Sequence, residues 1–333
     1  MTGRVVLLVT SPRLPAGLLT AQAWDLVRTF GVLTAADGEQ PQALRAAGVS
    51  VTVTEPAVET VLAALAGAGT AVWLAGPVGD ENFARQLGLR LAREPSLAEL
   101  ELCYGSWDPP GARLLDAVAV LDRLVSPGGD PWKRQQTHAG LAGYLLEESY
   151  EAYDAIVAGD LGALREELGD VLLQVVLHAR LAEELPDGER WNVDDVAGDL
   201  VDKMVRRNPH VFAGEAVGSV EEITANWERI KREEKSRDSA LDGIALSQPS
   251  LALAAKILQR AERAGLDVPL PSPTGSGLDV PLPSPTGSGP GELGATLLGL
   301  VARAQAAGLD AEAALRATAL AYAETVRATE RGA

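Results

Sequence analysis

Four acidic residues in two pairs have the spacing of a metal site. Glu148 and Glu151 lie three residues apart in LLEESYEAYDAI, and Glu167 and Asp170 repeat that spacing in LREELGDVLLQVVLHARLA. Side chains three positions apart share a face of a helix, so two antiparallel helices joined at Gly159-Asp160 would gather four carboxylates. Such neighbours raise one another's pKa, and a divalent cation removes that conflict. The pattern predicts a Mg²⁺ site, because Mg²⁺ prefers oxygen ligands.

The two helices that would position these carboxylates are amphipathic. Projection places Glu148 inside an apolar stripe and Glu151 at its border, while Glu147 points elsewhere. A carboxylate in a core-facing stripe is costly unless it is paired or coordinated, which favours a metal site over a solvated acidic face. The first stripe comprises Leu141, Leu145, Ala152, Ala155 and Ile156; the second comprises Leu164, Leu168, Val171, Leu172 and Val175, flanked by Glu167, Asp170 and Gln174.

Basic and aromatic side chains follow on two later helices. Lys203 and Arg207 lie one turn apart beside an apolar stripe, where they could clamp phosphate groups. Trp227 and Lys231 repeat this spacing and pair a flat ring with a cation. Taken singly, Trp227 could be a core aromatic and Lys203 a surface side chain. Together with the four carboxylates, they indicate a nucleoside triphosphate site. The stripe comprises Val193, Val196, Leu200 and Met204.

Composition narrows the class of protein. Acidic residues outnumber basic ones by 46 to 29 in 333 residues, giving a formal charge of −17. Stable nucleic-acid or anionic-membrane binding is therefore not expected. No stretch approaches the length of a membrane span, and the first residues are too weakly apolar for a signal peptide. Cys103 is the only cysteine, which excludes an intrachain disulfide and fits a cytoplasmic location. His138 and His178 receive no ligand role, because an oxygen donor set favours Mg²⁺ over zinc.

The chain is predicted to be multidomain. An N-terminal α/β region with a parallel sheet precedes an all-α helical bundle and a C-terminal degenerate copy of that bundle. The turn after the first strand contains Gly17 alone, so neither a dinucleotide fingerprint nor a P-loop is present. The predicted boundaries are 1–108 for the α/β domain, 112–238 for the catalytic helices, 239–264 for a helical connection, 265–289 for a linker and 290–333 for the degenerate helices.

Two internal repeats lie near the C-terminus. Residues 265–276 and 277–288 both read GLDVPLPSPTGS, a composition that predicts an extended or flexible linker. The segment GELGATLLGLVARAQAA, from Gly291, matches EELGDVLLQVVLHARLA, from Glu166. Glu292 corresponds to Glu167, but Ala295 stands where the first copy has Asp170. We therefore expect the C-terminal copy to be inactive and structural.

Several segments together resemble the MazG family of nucleoside triphosphate pyrophosphohydrolases. They are DPWKRQQTH, YLLEESYEAYDAI, LREELGDVLLQVVLHARLA, DKMVRRNPHVF, NWERIKREEK and LDGIALSQPSLALAAKI, in family order from residue 114 to about 260. The resemblance implies an all-α homodimer that uses Mg²⁺ to hydrolyse nucleoside triphosphates to monophosphates and pyrophosphate. It implies that Glu148, Glu151, Glu167 and Asp170 are catalytic metal ligands and that Lys203, Arg207, Trp227 and Lys231 contact substrate.

Two features depart from the family pattern. The family loop usually reads Cys-Pro-Trp-Asp, whereas Asp130 and Lys133 flank Pro-Trp here, which leaves the base preference open. Full-length members often carry two intact copies of the helical module or one, whereas this chain has one intact and one decayed copy. The α/β region is faintly similar to a tetrapyrrole methylase domain but is shorter and lacks the glycine-rich cofactor loop, so no methyl transfer is expected. The rival functions are a regulatory helical module that binds nucleotides or a partner without hydrolysis, and an enzyme that removes noncanonical or excess nucleotides.

Overall fold

A computed structural model describes residues 3–214, 218–234, 239–271 and 290–332. The chain divides into two compact units, Met1–Leu200 and Val201–Ala333. The domain boundaries predicted from the sequence stay predictions, and the second copy of the tandem repeat lies outside the described residues.

The first unit begins with a five-stranded parallel sheet. The strands are β1 (Gly3–Val9), β2 (Val32–Thr34), β3 (Val51–Val53), β4 (Thr70–Leu74) and β5 (Ala98–Tyr104), and the helices between them are α1 (Ala21–Phe30), α2 (Glu39–Ala46), α3 (Val58–Ala68) and α4 (Glu81–Arg93). The strand order is β3-β2-β4-β1-β5, which confirms the predicted parallel α/β region. The sequence pattern missed β2, α2 and β5, because β2 has only three residues and β5 carries acidic side chains at the sheet edge.

Ion pairs tie helix α5 (Arg113–Val125) to its neighbours in the chain. Arg13, in the turn after β1, donates to both oxygens of Asp116 on α5 at 2.8 and 2.7 Å, and it also pairs with Asp108. At the other end of α5, Asp122 accepts from Arg180 at 2.7 Å. The largest cause of the lowered pKa of Asp122 is this hydrogen bond from Arg180. These contacts fix α5 against both the sheet region and the helix that carries Arg180.

The two helices of the predicted hairpin are α6 (His138–Ala158) and α7 (Leu161–Ala182). Gly159 ends α6 with a φ of 70°, a conformation that a side chain would disfavour. Asp160 caps α7 by accepting from the backbone N–H groups of Gly162 and Ala163 at 2.9 and 3.0 Å. A turn of only two residues forces the helices to pack antiparallel, as the sequence predicts.

The core of the hairpin lies at its open end, next to α5. Leu141 of α6 and Leu177 of α7 are each 1% exposed and pack with Val125 of α5. On α6 the predicted stripe is confirmed except for Ile156, which is exposed. On α7 the predicted stripe is partly wrong, since Leu168 and Val175 are exposed.

The physical reason for this error is that α7 packs on two helices rather than one. Its C-terminal half contacts both α5 and α6, so a wider arc is buried there, including Leu173 and Leu181. Periodicity alone reports one buried face and cannot show where a second neighbour begins.

The later helices frame the remaining predicted residues. Asn192 caps the helix that carries Lys203 by accepting from the backbone N–H of Asp194 at 2.8 Å. In the second unit, α11 (Ser250–Arg263) packs against α12 (Pro290–Ala306) and α13 (Ala311–Gly332). Ala295 lies on α12, and the inactivity of this copy stays a prediction. The other bounds are α8 (Val193–Arg207), α9 (Pro209–Phe212) and α10 (Val220–Glu233).

The hairpin core predicts a large effect of one truncation. Leu141→Ala should lower the free energy of unfolding by about 2–5 kcal/mol, because it leaves a cavity among Val125, Leu173 and Leu177. Leu146→Ala on the exposed face of the same helix is the control and should change it by less than about 0.5 kcal/mol. Urea denaturation followed by circular dichroism measures both. Equal losses for the two variants would contradict this packing.

Candidate metal centre

Three of the four predicted carboxylates come together between α6 and α7. One oxygen from each of Glu148, Glu151 and Glu167 lies within 4.8 Å of the others, and within the described ranges this is the one such group of acidic, histidine or cysteine ligands. Glu148 and Glu167 are half-buried, and Glu151 is exposed. Asp170 is outside this group of three but is near enough for its charge to raise the pKa of Glu148.

The carboxylates oppose one another in the absence of a cation. Partial burial is the largest cause of the raised pKa of Glu148, followed by the charges of Asp170 and Glu151. Partial burial likewise leads the causes of the raised pKa of Glu167, followed by the charge of Glu151. Both effects disfavour the charged form, so the cation-free hairpin holds negative charge at a cost in stability.

This donor set fits a hard divalent cation. Carboxylate oxygens bind Mg²⁺ or Ca²⁺ at about 2.0–2.6 Å, so oxygens that share one ion lie within about 5 Å of each other. The three oxygens already satisfy that limit without rearrangement of the backbone. Glu148 and Glu151 would hold the cation from α6, and Glu167 from α7, with Asp170 available from the next turn of α7.

Further polar side chains continue along α7 towards the open end of the hairpin. Gln174 is 3% exposed, and its Oε1 atom has no hydrogen-bond partner in the part of the chain that the structure describes. One turn later, Nδ1 of His178 lies 2.8 Å from Nδ1 of His138 at the start of α6, and the two rings are stacked. Burial is the main cause of the lowered pKa of His178, followed by the charge of His138. Sequence reasoning assigned no function to Gln174, His138 or His178.

The predicted phosphate-binding residues lie in the second unit. The guanidinium of Arg207 lies 5.2 Å from the centre of the Trp227 ring, and the ammonium of Lys231 lies 4.5 Å from it. Lys203 is half-buried on α8. The structure thus brings Arg207, Trp227 and Lys231 together, and the contact of these four residues with substrate stays a prediction.

Glu234 is a member of this cluster that the sequence analysis missed. Its carboxylate accepts from Nε of Arg207 at 3.0 and 3.1 Å, from Nη2 of Arg207 at 2.5 Å and from Nε of Arg206 at 2.8 Å. The hydrogen bond from Arg207 is the largest cause that lowers the pKa of Glu234, to about 2. The available signal was the spacing of seven residues from Trp227, because two turns of helix place Glu234, the residue that caps the end of α10, on the same side as Trp227.

The loop before α6 is closed by its own side chains. Asp130 accepts from the backbone N–H of Lys133 at 2.8 Å, and the Lys133 ammonium lies 5.5 Å from the centre of the Trp132 ring. The residues that depart from the family pattern therefore make a local turn with one another.

No helix in the described ranges combines the length and apolar character needed to cross a membrane.

Comparison with known proteins decides the family. Residues 136–212, which contain all four carboxylates, match the model of the MazG nucleotide pyrophosphohydrolase domain. An "Uncharacterized 26.1 kDa protein in blaB 3'region" from Streptomyces cacaoi is 47% identical over 235 residues, covering 70% of this chain and 89% of that protein. The chain belongs to the MazG family. This confirms the resemblance drawn from the motifs.

Relatives that carry a functional name align with a smaller share of their length. A protein named nucleoside triphosphate pyrophosphohydrolase from Mycolicibacterium smegmatis is 50% identical over 164 residues, covering 48% of this chain and 49% of that protein. One of the same name from Escherichia coli is 44% identical over 154 residues, covering 45% and 57%. This MazG chain thus spans about half the length of these relatives. A crystal structure of a mazG-related protein from Thermotoga maritima covers 36% of this chain and 97% of its own, at 28% identity and a TM-score of 0.30.

Repulsion among the carboxylates predicts that removing one charge stabilises the cation-free protein. In EDTA at pH 7.5, Glu148→Gln should melt a few degrees above the unaltered protein, because a partly buried charge among like charges is gone. Addition of Mg²⁺ should raise the melting temperature of the unaltered protein and have little effect on the variant. Glu147→Gln, which alters the exposed neighbour, is the control. A variant that melts lower in EDTA and keeps its full response to Mg²⁺ would contradict the site.

The histidine pair predicts a specific loss of stability in acid. The pKa of His178 is lowered in the folded protein, so its contribution to stability is present above the unfolded value of 6.5 and is lost as the pH falls below it. Two Nδ1 atoms 2.8 Å apart share one proton and cannot both carry one. The melting temperature of His178→Gln should therefore decline less between pH 7.5 and 5.5 than that of the unaltered protein. His210→Gln is the control, and equal declines in all three proteins would refute the proton-sharing pair.

Proposed function

We propose that this MazG protein hydrolyses nucleoside triphosphates to nucleoside monophosphates and pyrophosphate, with Mg²⁺ held by the α6–α7 carboxylates. The observation that supports this most directly is the convergence of Glu148, Glu151 and Glu167 within the segment that matches the MazG domain. The names of the relatives in Mycolicibacterium smegmatis and Escherichia coli point to the same reaction.

The reaction joins one water molecule to the triphosphate. The water oxygen forms a bond to phosphorus at the α–β bridge, the bridging P–O bond breaks, pyrophosphate leaves, and one proton is released. Mg²⁺ held by Glu148, Glu151 and Glu167 would supply positive charge to neutralise phosphate oxygens and would lower the pKa of a coordinated water. The carboxylates of this chain hold and orient these groups, and one of them accepts the proton of the attacking water.

The hairpin makes the carboxylates a rigid unit. The two-residue turn fixes the register between the helices, while the Leu141–Leu177 contact fixes them at the open end. The acidic residues lie between these two constraints. Their mutual repulsion is therefore retained by the fold until a cation relieves it, rather than being lost through separation of the helices.

The cellular setting completes the proposal. We propose a cytoplasmic homodimer that makes no stable contact with nucleic acid or membrane. The buried free thiol of Cys103 suits a reducing compartment, and the net charge of −17 disfavours polyanionic partners. Exposed apolar side chains on α8, namely Leu200, Val201 and Val205, support association with a second copy.

Neutralising a carboxylate should abolish turnover without unfolding the protein. Glu148→Gln and Asp170→Asn should each reduce pyrophosphate release by about 100-fold or more, because each removes a charge that holds the cation. Glu147→Gln and Glu166→Gln alter the exposed neighbours and should keep near-normal rates. The measurement is pyrophosphate release from each canonical triphosphate with Mg²⁺, alongside circular dichroism.

Each other outcome has a definite meaning for the proposal. Near-normal activity in both carboxylate variants would exclude this site. Nucleotide binding by the unaltered protein without pyrophosphate release would support the rival, a non-hydrolytic module.

We further propose that noncanonical or excess nucleotides are the physiological substrates. Faster hydrolysis of modified triphosphates than of canonical ones would support noncanonical nucleotides, whereas the reverse order would exclude them and favour excess canonical nucleotides.

A further inference from the structure

The buried amide of Gln174 is a polar group whose partner the fold does not provide. Its side chain is 3% exposed, and Oε1 accepts no hydrogen bond from any residue that the structure describes. Buried carbonyl oxygens nearly always have a donor, and an orphan often marks a bound water or ion. If this position served packing alone, an apolar residue, or a glutamine with its hydrogen bonds made, would be expected there.

Gln174 lies between two contacts that join α7 to α6. Asp170, one turn earlier, is near enough to Glu148 of α6 to raise its pKa. His178, one turn later, bonds to His138 of α6. Because residues four apart lie above one another on a helix, Gln174 must occupy the α6–α7 interface between these contacts. It is therefore next in line to the carboxylates along the interior of the hairpin.

Only a donor can satisfy Oε1, because an amide oxygen accepts hydrogen bonds and does not donate them. The neighbouring carboxylates are acceptors when ionised, so they cannot serve. A cation bound by few protein groups keeps water molecules as its remaining ligands, and Mg²⁺ in particular keeps several. Such a water beside Asp170 would carry polarised O–H groups, and one of them could be the donor that Oε1 of Gln174 lacks.

We propose that Gln174 is a positioning residue whose Oε1 accepts a hydrogen bond from a water on the cation held by the α6–α7 carboxylates. This inference rests on the proposed function and deepens it by naming the group that orients the water. Gln174 would hold that water through one of its O–H groups and so limit how freely the water turns. In the protein without a cation, the same oxygen lacks a donor and lowers the stability of the fold.

Gln174→Met tests this, because it keeps the length of the side chain and removes the acceptor. In EDTA the variant should melt at the same temperature as the unaltered protein or higher, since an orphan carbonyl has been removed. Its affinity for Mn²⁺, measured by titration calorimetry without nucleotide, should fall by about 10-fold or more. Its kcat should fall by a similar factor, with KM changed much less, because the interaction orients water rather than substrate.

Two further variants serve as rescue and control. Gln174→Glu restores an acceptor oxygen at the same position and should recover most of the Mn²⁺ affinity. Gln305→Met removes the amide of another glutamine whose Oε1 is buried and without a partner among the described residues, but which lies on α12 of the second unit. It should leave Mn²⁺ affinity and kcat unchanged.

The remaining outcomes overturn the proposal or separate it from the function. A Gln174→Met protein that melts lower in EDTA shows a structural role and overturns it, as does one that binds Mn²⁺ and turns over normally. Failure of Gln174→Glu to recover Mn²⁺ affinity also overturns it. If the unaltered protein releases no pyrophosphate yet binds Mn²⁺ more tightly than Gln174→Met, the proposed function fails while the role of Gln174 stands.

Discussion

Repulsion among carboxylates inside a helical hairpin is the interaction on which the rest of the site depends. Glu148 and Glu167 are partly buried beside further acidic groups, and both have raised pKa values as a result. A flexible segment would separate such charges, but the turn at Gly159-Asp160 and the Leu141–Leu177 contact prevent that separation. The fold therefore stores an unfavourable arrangement that a divalent cation converts into a favourable one. Stability is exchanged for a binding site, which is the usual relation between the two.

Much of this could be predicted from the sequence because it depends on local rules. The i, i+3 spacing of the acidic pairs, the glycine and aspartate at the turn and the asparagine cap of α8 each act within a few residues. The N-terminal parallel α/β region could also be predicted from the sequence, apart from the short strand β2 and the edge strand β5. The predicted stripe on α7 was partly wrong, because the burial of Leu173 and Leu181 depends on where α5 packs against this helix.

Contacts between residues far apart in the sequence could not be predicted from local sequence patterns. Glu234 binds Arg207 across 27 positions, and His178 binds His138 across 40. Nothing in the periodicity of either helix names such a partner. The arginine cluster also shows why residue type alone is a partial guide, since a guanidinium predicted to bind phosphate already holds a carboxylate. An incoming phosphate would have to compete with Glu234 for it, which makes electrostatic balance in that cluster part of any account of substrate affinity.

Anomalous diffraction from crystals soaked in Mn²⁺ tests the central claim most directly, because it locates the cation without reference to activity. The account predicts an anomalous peak within about 2.0–2.6 Å of carboxylate oxygens of Glu148, Glu151 and Glu167. A fully soaked crystal with no peak on the α6–α7 hairpin, or with its strongest peak on another acidic surface, would contradict it.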